Sequence, residues 1–465
     1  MDNCNELEKY ANDVTSATSL LINQLKQTCF SVHSSPSDSS NAHLDIPGDG
    51  PRELHRARQS VLSSLKQFQI YLTQPYDFIQ QLASQGQLLA CLRWLGDFQV
   101  LACIPLSDNA PIKDVADLTG VSEMQLSRIV RMTATAGFLR EPKPGYIAHT
   151  ALSARFVTQY SFLDAALFLA ETGVPAALQT SVATRFQGQP GRPSDATTPY
   201  SIAFNTSQAF PLACEQRKKL QRQWPAFSRC AGDVEDSVTE VLSQLDWLRV
   251  GSACIVDVCA RSTETAAALA QLFPTLQFIV QLSGPSADMS KAVEVGRPDT
   301  QSQMEHENSS IPNPRISVQK CVPGSPQAVR DAAIYMFRVP PVDSGGFDPS
   351  QTRDVHILPH LWAHLSILKA NTAAIFLLVA QLLPDPGSVD PDIEEAACLR
   401  DLWKMQLANG HEMKVGELIE IINSVHDGIG GLVVVDKLQS RSSATMAFGI
   451  KYQAFSTTCQ QGLDH

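Results

Sequence analysis

Charge is scarce in this 465-residue chain. Only 18% of its residues are charged, and the acidic excess gives a net charge of −11. A chain of that sign has no sequence-wide attraction for DNA or anionic lipid, so nucleic-acid contact would have to come from a local patch. The eleven cysteines are odd in number and form no CxxC pair. That excludes the six closely spaced cysteines of a binuclear zinc cluster, and it fits reduced thiols in an intracellular protein better than a disulfide framework. The closest pair, Cys254 and Cys259, falls in an apolar run and its exit. Long hydrophobic runs are also missing. Thr372–Leu383, read as the longest, is too short to span a bilayer, and the N-terminal MDNCNELEKY is too polar and acidic for a targeting peptide. The expectation is a soluble, intracellular protein with no membrane partner.

What is present suffices for two to three domains, since 44% of residues are apolar. Residues 1–30 form a candidate helix with Leu7, Val14, Leu20, Leu21 and Leu25 as a rough apolar face, and it reads as an appendage. The Ser-, Pro-, Gly- and Asp-rich stretch 31–51 reads as a flexible linker. From Arg52 to Ala102 the spacing is helical, broken at Pro75, and the second part is apolar enough for a core or a dimer interface. Residues 156–245 read as a helical connector with a break at 188–199.

Between Ile112 and His149 the pattern is more specific. Ile112, Val115, Ala116 and Leu118 suggest one face of a short helix, Thr119-Gly120 a turn, and Ser122 an N-cap for a second helix over Glu123–Ala136. Phe138-Leu139-Arg140, a Pro-Lys-Pro-Gly turn and Tyr146–Ala148 follow as a two-stranded wing. Helix, turn, helix and wing make a winged helix. Its candidate base-reading residues are Ser122, Glu123, Gln125, Ser127, Arg128 and Arg131. Five basic residues against four acidic ones leave the segment at +1, a thin footprint for phosphate. The basic run Arg217–Arg222 is a nuclear-import candidate, with a solvated helix face as the favoured reading.

After residue 246 the style changes. Ala253–Val258 is an apolar run carrying an acid, Thr263–Phe273 is helical and Gln277–Leu282 is a second strand: a βαβ unit of a doubly wound sheet. Further strands are expected at Ala332–Phe337, Ala373–Ala380, Leu432–Leu438 and Ala444–Tyr452, with 284–314 as an insertion loop and 456–465 as a tail. The fold class is therefore α/β: a helical and winged-helix N-terminal region (52–155), then a Rossmann-like domain (246–455).

DLTGVSEMQLSRIVRMTATAGFL, IVDVCARSTETAAALAQLFPTLQFIVQL, LLPDPG and RDLWKMQLANGHEMKVGELIEII together resemble the plant and fungal S-adenosylmethionine-dependent O-methyltransferases over roughly residues 60–455. LLACLRWLGDFQVLACIPL followed by DVADLTGV is similar to a narrower group, the O-methyltransferase-like transcriptional co-activators of fungal polyketide clusters. That resemblance implies a nuclear regulator, cytoplasmic as well at times, that works with a zinc-cluster transcription factor. The broader one implies a methyltransferase-like Rossmann domain and dimerisation through the helical region.

Three departures from the enzyme pattern matter. The loop after the first strand should be glycine-rich, because the methyl donor packs on bare backbone and the turn needs left-handed φ. Here Cys259, Ala260, Arg261, Ser262 and Thr263 contain no glycine, and Arg261 puts a cation beside a sulfonium-bearing ligand. The acid expected to bind ribose hydroxyls is Leu282, which accepts no hydrogen bond; each buried group left unpaired costs roughly 1–3 kcal/mol. The histidine expected as general base is Val342, although the following Asp343 remains. His356, His360 and His364 lie nearby, the last two at i, i+4 spacing, and read as surface or partner-facing residues. The expected function is a cluster co-activator without methyl transfer and without cofactor. Two alternatives stand beside it: an active O-methyltransferase on a polyketide phenol, and a direct DNA binder.

Overall fold

The computed structural model describes residues 2–29, 46, 51–187, 197–231, 234–245, 247, 251–283, 314–339, 354–440 and 444–455. The expected linker 31–51 (except Ile46 and Pro51), insertion 284–314 (except Pro314), tail 456–465, and the positions Val342 and Asp343 lie outside these. The chain divides into two compact units, 1–232 with 390–410, and 233–389 with 411–465.

The first unit is helical. Helix α1 (Asp2–Cys29) packs along α2 (Arg52–Leu72), with Tyr10 against Phe68 and Tyr71 at ring-centroid distances of 6.3 and 5.1 Å. It is not an appendage. Its inward stripe is Tyr10, Val14, Ala17 and Leu21, at helical spacing. Leu20 lies outside that stripe and is exposed, and Leu7, one turn before Tyr10, is exposed as well. Pro75, which cannot donate a hydrogen bond, starts α3 (Pro75–Asp97) at a position where none is needed. Apolar residues of α2 and α3 stay exposed, among them Leu62, Leu65, Leu72, Phe78, Ile79 and Leu82.

Strand β1 (Asn109–Pro111), helices α4 (Ile112–Thr119) and α5 (Glu123–Thr135), and strands β2 (Leu139–Arg140) and β3 (Tyr146–His149) form a small unit around Ile112, Val115, Leu126, Val130, Leu139 and Ile147. The sheet order is β1-β3-β2, antiparallel throughout. Gly120 closes α4 at φ +69°, a conformation that a β-carbon resists. Leu118 corrects the expected inner face. At about 100° per residue it lies about 120° from Ile112 and about 160° from Ala116, and it is 74% exposed.

Helices α6 (Ala151–Thr158), α7 (Tyr160–Phe168), α8 (Val174–Ala177), α9 (Thr180–Gln187), α10 (Pro199–Ala203), α11 (Phe210–Gln216) and α12 (Lys218–Ala231) complete this part. Tyr160–Phe186 runs as one helix, through a π-helical turn at Leu169–Gly173, and it is long and apolar enough to cross a bilayer. It is a longer apolar run than Thr372–Leu383. Phe168 lies in an aromatic cluster with Phe227 and Trp224 at 4.9 and 5.1 Å, and Phe227 meets Trp403 at 5.7 Å. The helix's two acids are engaged as well: Asp164 pairs with Arg222, and Glu171 with Lys219 and Gln223.

The second unit is a seven-stranded sheet: β4 (Cys254–Ala260), β5 (Gln277–Ser283), β6 (Ile316–Cys321), β7 (Ile334–Arg338), β8 (Ile375–Gln381), β9 (Gly430–Gln439) and β10 (Thr445–Ala454), in the order β6-β5-β4-β7-β8-β10-β9. The first five pair in parallel and β10 enters antiparallel. Helices α13 (Val234–Ser243) and α14 (Glu264–Leu272) bury Val241, Leu242 and Leu269 on one face with Ile255, Phe278 and Met336. On the other face, Leu361 and Leu365 of α15 (Asp354–Ala370) and Ile422 of α17 (Val415–Asn423) meet Val256, Tyr335 and Phe376. Burial on both faces is why these strands read as continuous apolar runs. Two segments depart from the expected domain limits. Amphipathic α13 packs on the sheet rather than with the helical connector. Helix α16 (Pro391–Ala408) belongs to the first unit, where Trp403 and Leu407 join the aromatic cluster.

Candidate functional site

In an open parallel sheet the ligand crevice opens at the carboxyl ends of the strands, where the order reverses. Here successive strands run outward from β4 through β5 and β6 on one side and from β7 on the other, so the crevice lies beyond β4, β5 and β7. Asp257 and Arg338 meet there. Arg338 donates from Nη2 to Asp257 Oδ2 at 2.8 Å and from Nη1 to Thr265 Oγ1 at 2.6 Å, tying β4 and β7 to the first turn of α14. Asp257 is fully buried and its Oδ1 has no hydrogen-bond partner. Burial pushes its carboxyl up to about 6 against the pull of Arg338.

The loop beyond Asp257 keeps one property of a glycine loop. Cys259 sits at φ +51°, and the β4–β5 register slips between Asp257 and Ala260. The backbone thus turns through a left-handed position while carrying a β-carbon and a sulfur. Cys254, its nearest cysteine in sequence, is not its partner: Cys259 Sγ lies 3.2 Å from Cys321 Sγ on β6. Burial first, then the hydrogen bond with Cys321, pushes the Cys259 thiol up to about 12. Ala260 is buried, Ser262 and Thr263 are half-buried, and Arg261 is exposed. Leu282, half-buried at the end of β5 opposite Lys320, packs against the sheet core, where a ribose-binding acid would need an accepting oxygen.

The histidines of α15 correct the expectation of a surface role. His360 stacks on Phe337 at 4.1 Å, and His364 lies against Phe376 and Tyr335 at 4.8 and 5.2 Å, both rings buried. Burial drives each imidazole down to about 4, so both are neutral at physiological pH. His364 Nδ1 contacts His360 O at 2.7 Å and its Nε2 contacts Gln327 Nε2 at 3.2 Å, so the tautomer with the proton on Nδ1 satisfies both contacts. Gln327 and Gln281 exchange amide hydrogen bonds of 2.8 and 2.9 Å. The network is internally satisfied and packs the sheet. His356 is half-buried.

On the α4–α5 unit, Ser122, Glu123, Gln125, Arg128 and Arg131 are exposed and Ser127 is half-buried. Their neighbours weaken a phosphate-binding role. Arg131 pairs with Glu141 at 3.4 Å, Lys143 covers the Tyr146 ring at 3.7 Å, and apolar Met124 is 64% exposed on the same helix. In the basic run, Arg217 donates to Gln208 while Lys219 and Arg222 hold Glu171 and Asp164, the arrangement of a folded helix face. An open groove of about 800 Å³ that sequence reading missed lies along α2 and α3, with Leu65, Phe68 and Leu72 facing Asp77, Gln80 and Gln81. Its components look like ordinary amphipathic helix; only the turn at Pro75 brings them together.

Comparison with known proteins separates fold from function. Residues 4–73 match the N-terminal domain of the trypacidin cluster transcriptional coactivator tpcD. A transcriptional coactivator of Pseudocercospora fijiensis is 50% identical over 80% of this chain and 98% of its own length. The monodictyphenone cluster transcriptional coactivator mdpA of Emericella nidulans is 41% identical over 98% of this chain and 99% of its own. The chain belongs to the fungal transcriptional coactivators of secondary-metabolite clusters. Solved structures share its fold at low identity. LepI in complex with SAH and a substrate analogue superposes with a TM-score of 0.59, 14% identity and coverage of 96% of this chain and 100% of that one. OxaC gives 0.55 and 16%, over 97% of this chain and 99% of that one. The mitomycin 7-O-methyltransferase MmcR shares the fold too, at a TM-score of 0.53 and 15% identity over 81% of this chain and 98% of that one, whereas the named sequence relatives are regulators.

Proposed function

We propose that this coactivator works in the nucleus, without methyl transfer, as a homodimer that binds a zinc-cluster transcription factor of an aromatic-polyketide gene cluster. The observation that carries the reading is the exit of β4, where Cys259 holds the left-handed turn with a side chain in place of bare backbone. Two residues weigh against S-adenosylmethionine: Cys259 adds a side chain at a turn that the enzyme pattern leaves bare, and Leu282 offers no acceptor. Exposed apolar residues of α2 and α3 supply surface for self-association. The charge balance of the α4–α5 unit supports contact with DNA through the partner rather than alone.

The test is calorimetric titration of the purified protein with S-adenosylmethionine, joined to deletion of the gene. No binding at micromolar ligand and a fall in the cluster's transcripts are expected. Micromolar binding, with unchanged transcripts and a product lacking a methyl group, would replace this reading by an active O-methyltransferase. Pull-down of a zinc-cluster factor with the full chain tests the partner, and sequence-selective DNA binding by the chain alone would make it a direct reader.

A further inference from the structure

The two thiols at the sheet's ligand edge lie closer together than packing requires. Cys259 leaves β4, Cys321 ends β6, and β5 runs between them. Their sulfurs are nonetheless 3.2 Å apart although 62 residues separate them in the chain. A disulfide bond measures about 2.05 Å, so closure needs a sulfur movement of about 1.2 Å. The left-handed backbone at Cys259 and the register slip beside it accompany this reach across β5. Both thiols are only partly buried, in contrast to the buried Cys91. Cys321 also sits on an edge strand whose middle residues face solvent.

We propose that Cys259 and Cys321 form a reversible disulfide, a modification site whose oxidant is a small peroxide. The Cys321 sulfur attacks the peroxide: an S–O bond forms, the O–O bond breaks, and the leaving oxygen departs with the thiol proton as water or an alcohol. The Cys259 sulfur then displaces the sulfenic hydroxyl, so that an S–S bond forms, the S–O bond breaks and water leaves with the Cys259 proton. Two thiols lose two electrons and the peroxide gains them. Cys321 meets the peroxide first because it lies on the solvent-facing edge strand, which leaves Cys259 as the resolving partner. Thiol exchange with a cellular dithiol restores the pair, as suits a disulfide in a reducing compartment. The bond would fasten the exit of β4 to β6 across β5, over the place where methyltransferase relatives hold a ligand. This goes beyond the coactivator reading and does not depend on it.

The experiment treats the reduced full-length protein with stepped hydrogen peroxide, then alkylates, digests and maps it by mass spectrometry. A peptide linking Cys259 to Cys321, about 2 Da lighter than the reduced pair, should form before any other disulfide and vanish with dithiothreitol. In Cys259→Ser, Cys321 should accumulate as a sulfenic acid trapped by dimedone; in Cys321→Ser, Cys259 should stay alkylatable. The wild-type map decides the matter alone if a variant fails to fold. Both thiols remaining alkylatable while other cysteines oxidise, or either one linked elsewhere, would overturn the proposal.

Discussion

The sheet unit and helices α1–α3 use apolar and ionisable residues in opposite ways. The sheet hides Phe376, Tyr335 and Leu361 completely, and buries an aspartate and two histidines among them. Helices α2 and α3 leave Phe78, Ile79 and Leu82 in solvent. One region is finished by its own folding, and the other presents a surface that association would finish. For a coactivator that shares the methyltransferase fold, this contrast separates a closed sheet core from an open helical surface.

The sharpest way to break the contrast is a pair of truncations. Phe376→Ala empties a site inside the sheet core and should cost about 3–5 kcal/mol in urea unfolding. Ile79→Ser should change stability by less than about 0.5 kcal/mol and instead shift the sedimentation profile toward a smaller species. Equal losses of stability from both would show that α3 is core and not interface.

The next test is pH, to which the sheet unit should respond. His360 and His364 titrate near 4 when folded and near 6.5 when unfolded. Between those values the unfolded chain binds protons that the native one does not. Stability therefore falls as pH drops through this window, by on the order of 3 kcal/mol per fully shifted histidine. Asp257 acts in the opposite sense. Its folded value of about 6 lies above the ordinary carboxyl value of 3.8, so its contribution favours the fold at acid pH and is lost as pH rises through 6. Two histidines outweigh one aspartate, and the melting temperature should fall from pH 6.5 toward 4. His360→Phe keeps the ring stacked on Phe337 and should flatten that fall; an unchanged profile would assign the acid sensitivity elsewhere.

These buried groups also mark where sequence reading succeeded and failed. The βαβ unit was legible almost to the residue, because buried parallel strands are uninterrupted apolar runs: Ala253–Val258 and Gln277–Leu282 were expected, and Cys254–Ala260 and Gln277–Ser283 are found. Strand β6 escaped notice because an edge strand with Ser317, Gln319 and Lys320 outward has the composition of a loop. His360 and His364 were taken for surface residues by their polarity. Yet they share a stripe with Ile357, Leu361 and Leu368 at i, i+3/i+4 spacing, and that signal placed them inside. Gln281 and Gln327 carried no such signal, since only the folded sheet brings their amides together. The Cys259–Cys321 contact was hidden for the same reason. The missing glycines, by contrast, were readable, and what structure added is that the turn kept its left-handed φ without them.

That turn gives the next smaller effect. A non-glycine residue at φ +51° carries strain of about 1 kcal/mol. Cys259→Gly should therefore leave stability unchanged or raise it by up to about 1 kcal/mol, offset by the freer unfolded chain. Cys259→Val adds a β-branched side chain at the same φ and should lower it by about 2 kcal/mol. If valine is tolerated as well as glycine, the backbone has relaxed out of the left-handed region and the glycine-loop geometry is not retained.

The smallest effect is expected at the surface of the α4–α5 unit, where Arg131 and Glu141 pair with the arginine side chain 69% exposed. An exposed pair of this kind contributes little, so Arg131→Ala should move urea stability by less than about 0.5 kcal/mol. Glu141 has a second duty, accepting the Gly145 backbone N–H at 3.0 Å and so holding the hairpin turn. Glu141→Ala should accordingly cost more than Arg131→Ala, by roughly 1 kcal/mol. The same variants test what the exposed face of α5 is for. If Arg131 served phosphate, releasing it with Glu141→Gln would strengthen DNA retention at low salt, and Arg131→Ala would abolish the gain. Retention that ignores both changes would leave α5 as a face whose residues, Met124 and Arg128 among them, answer to a protein partner.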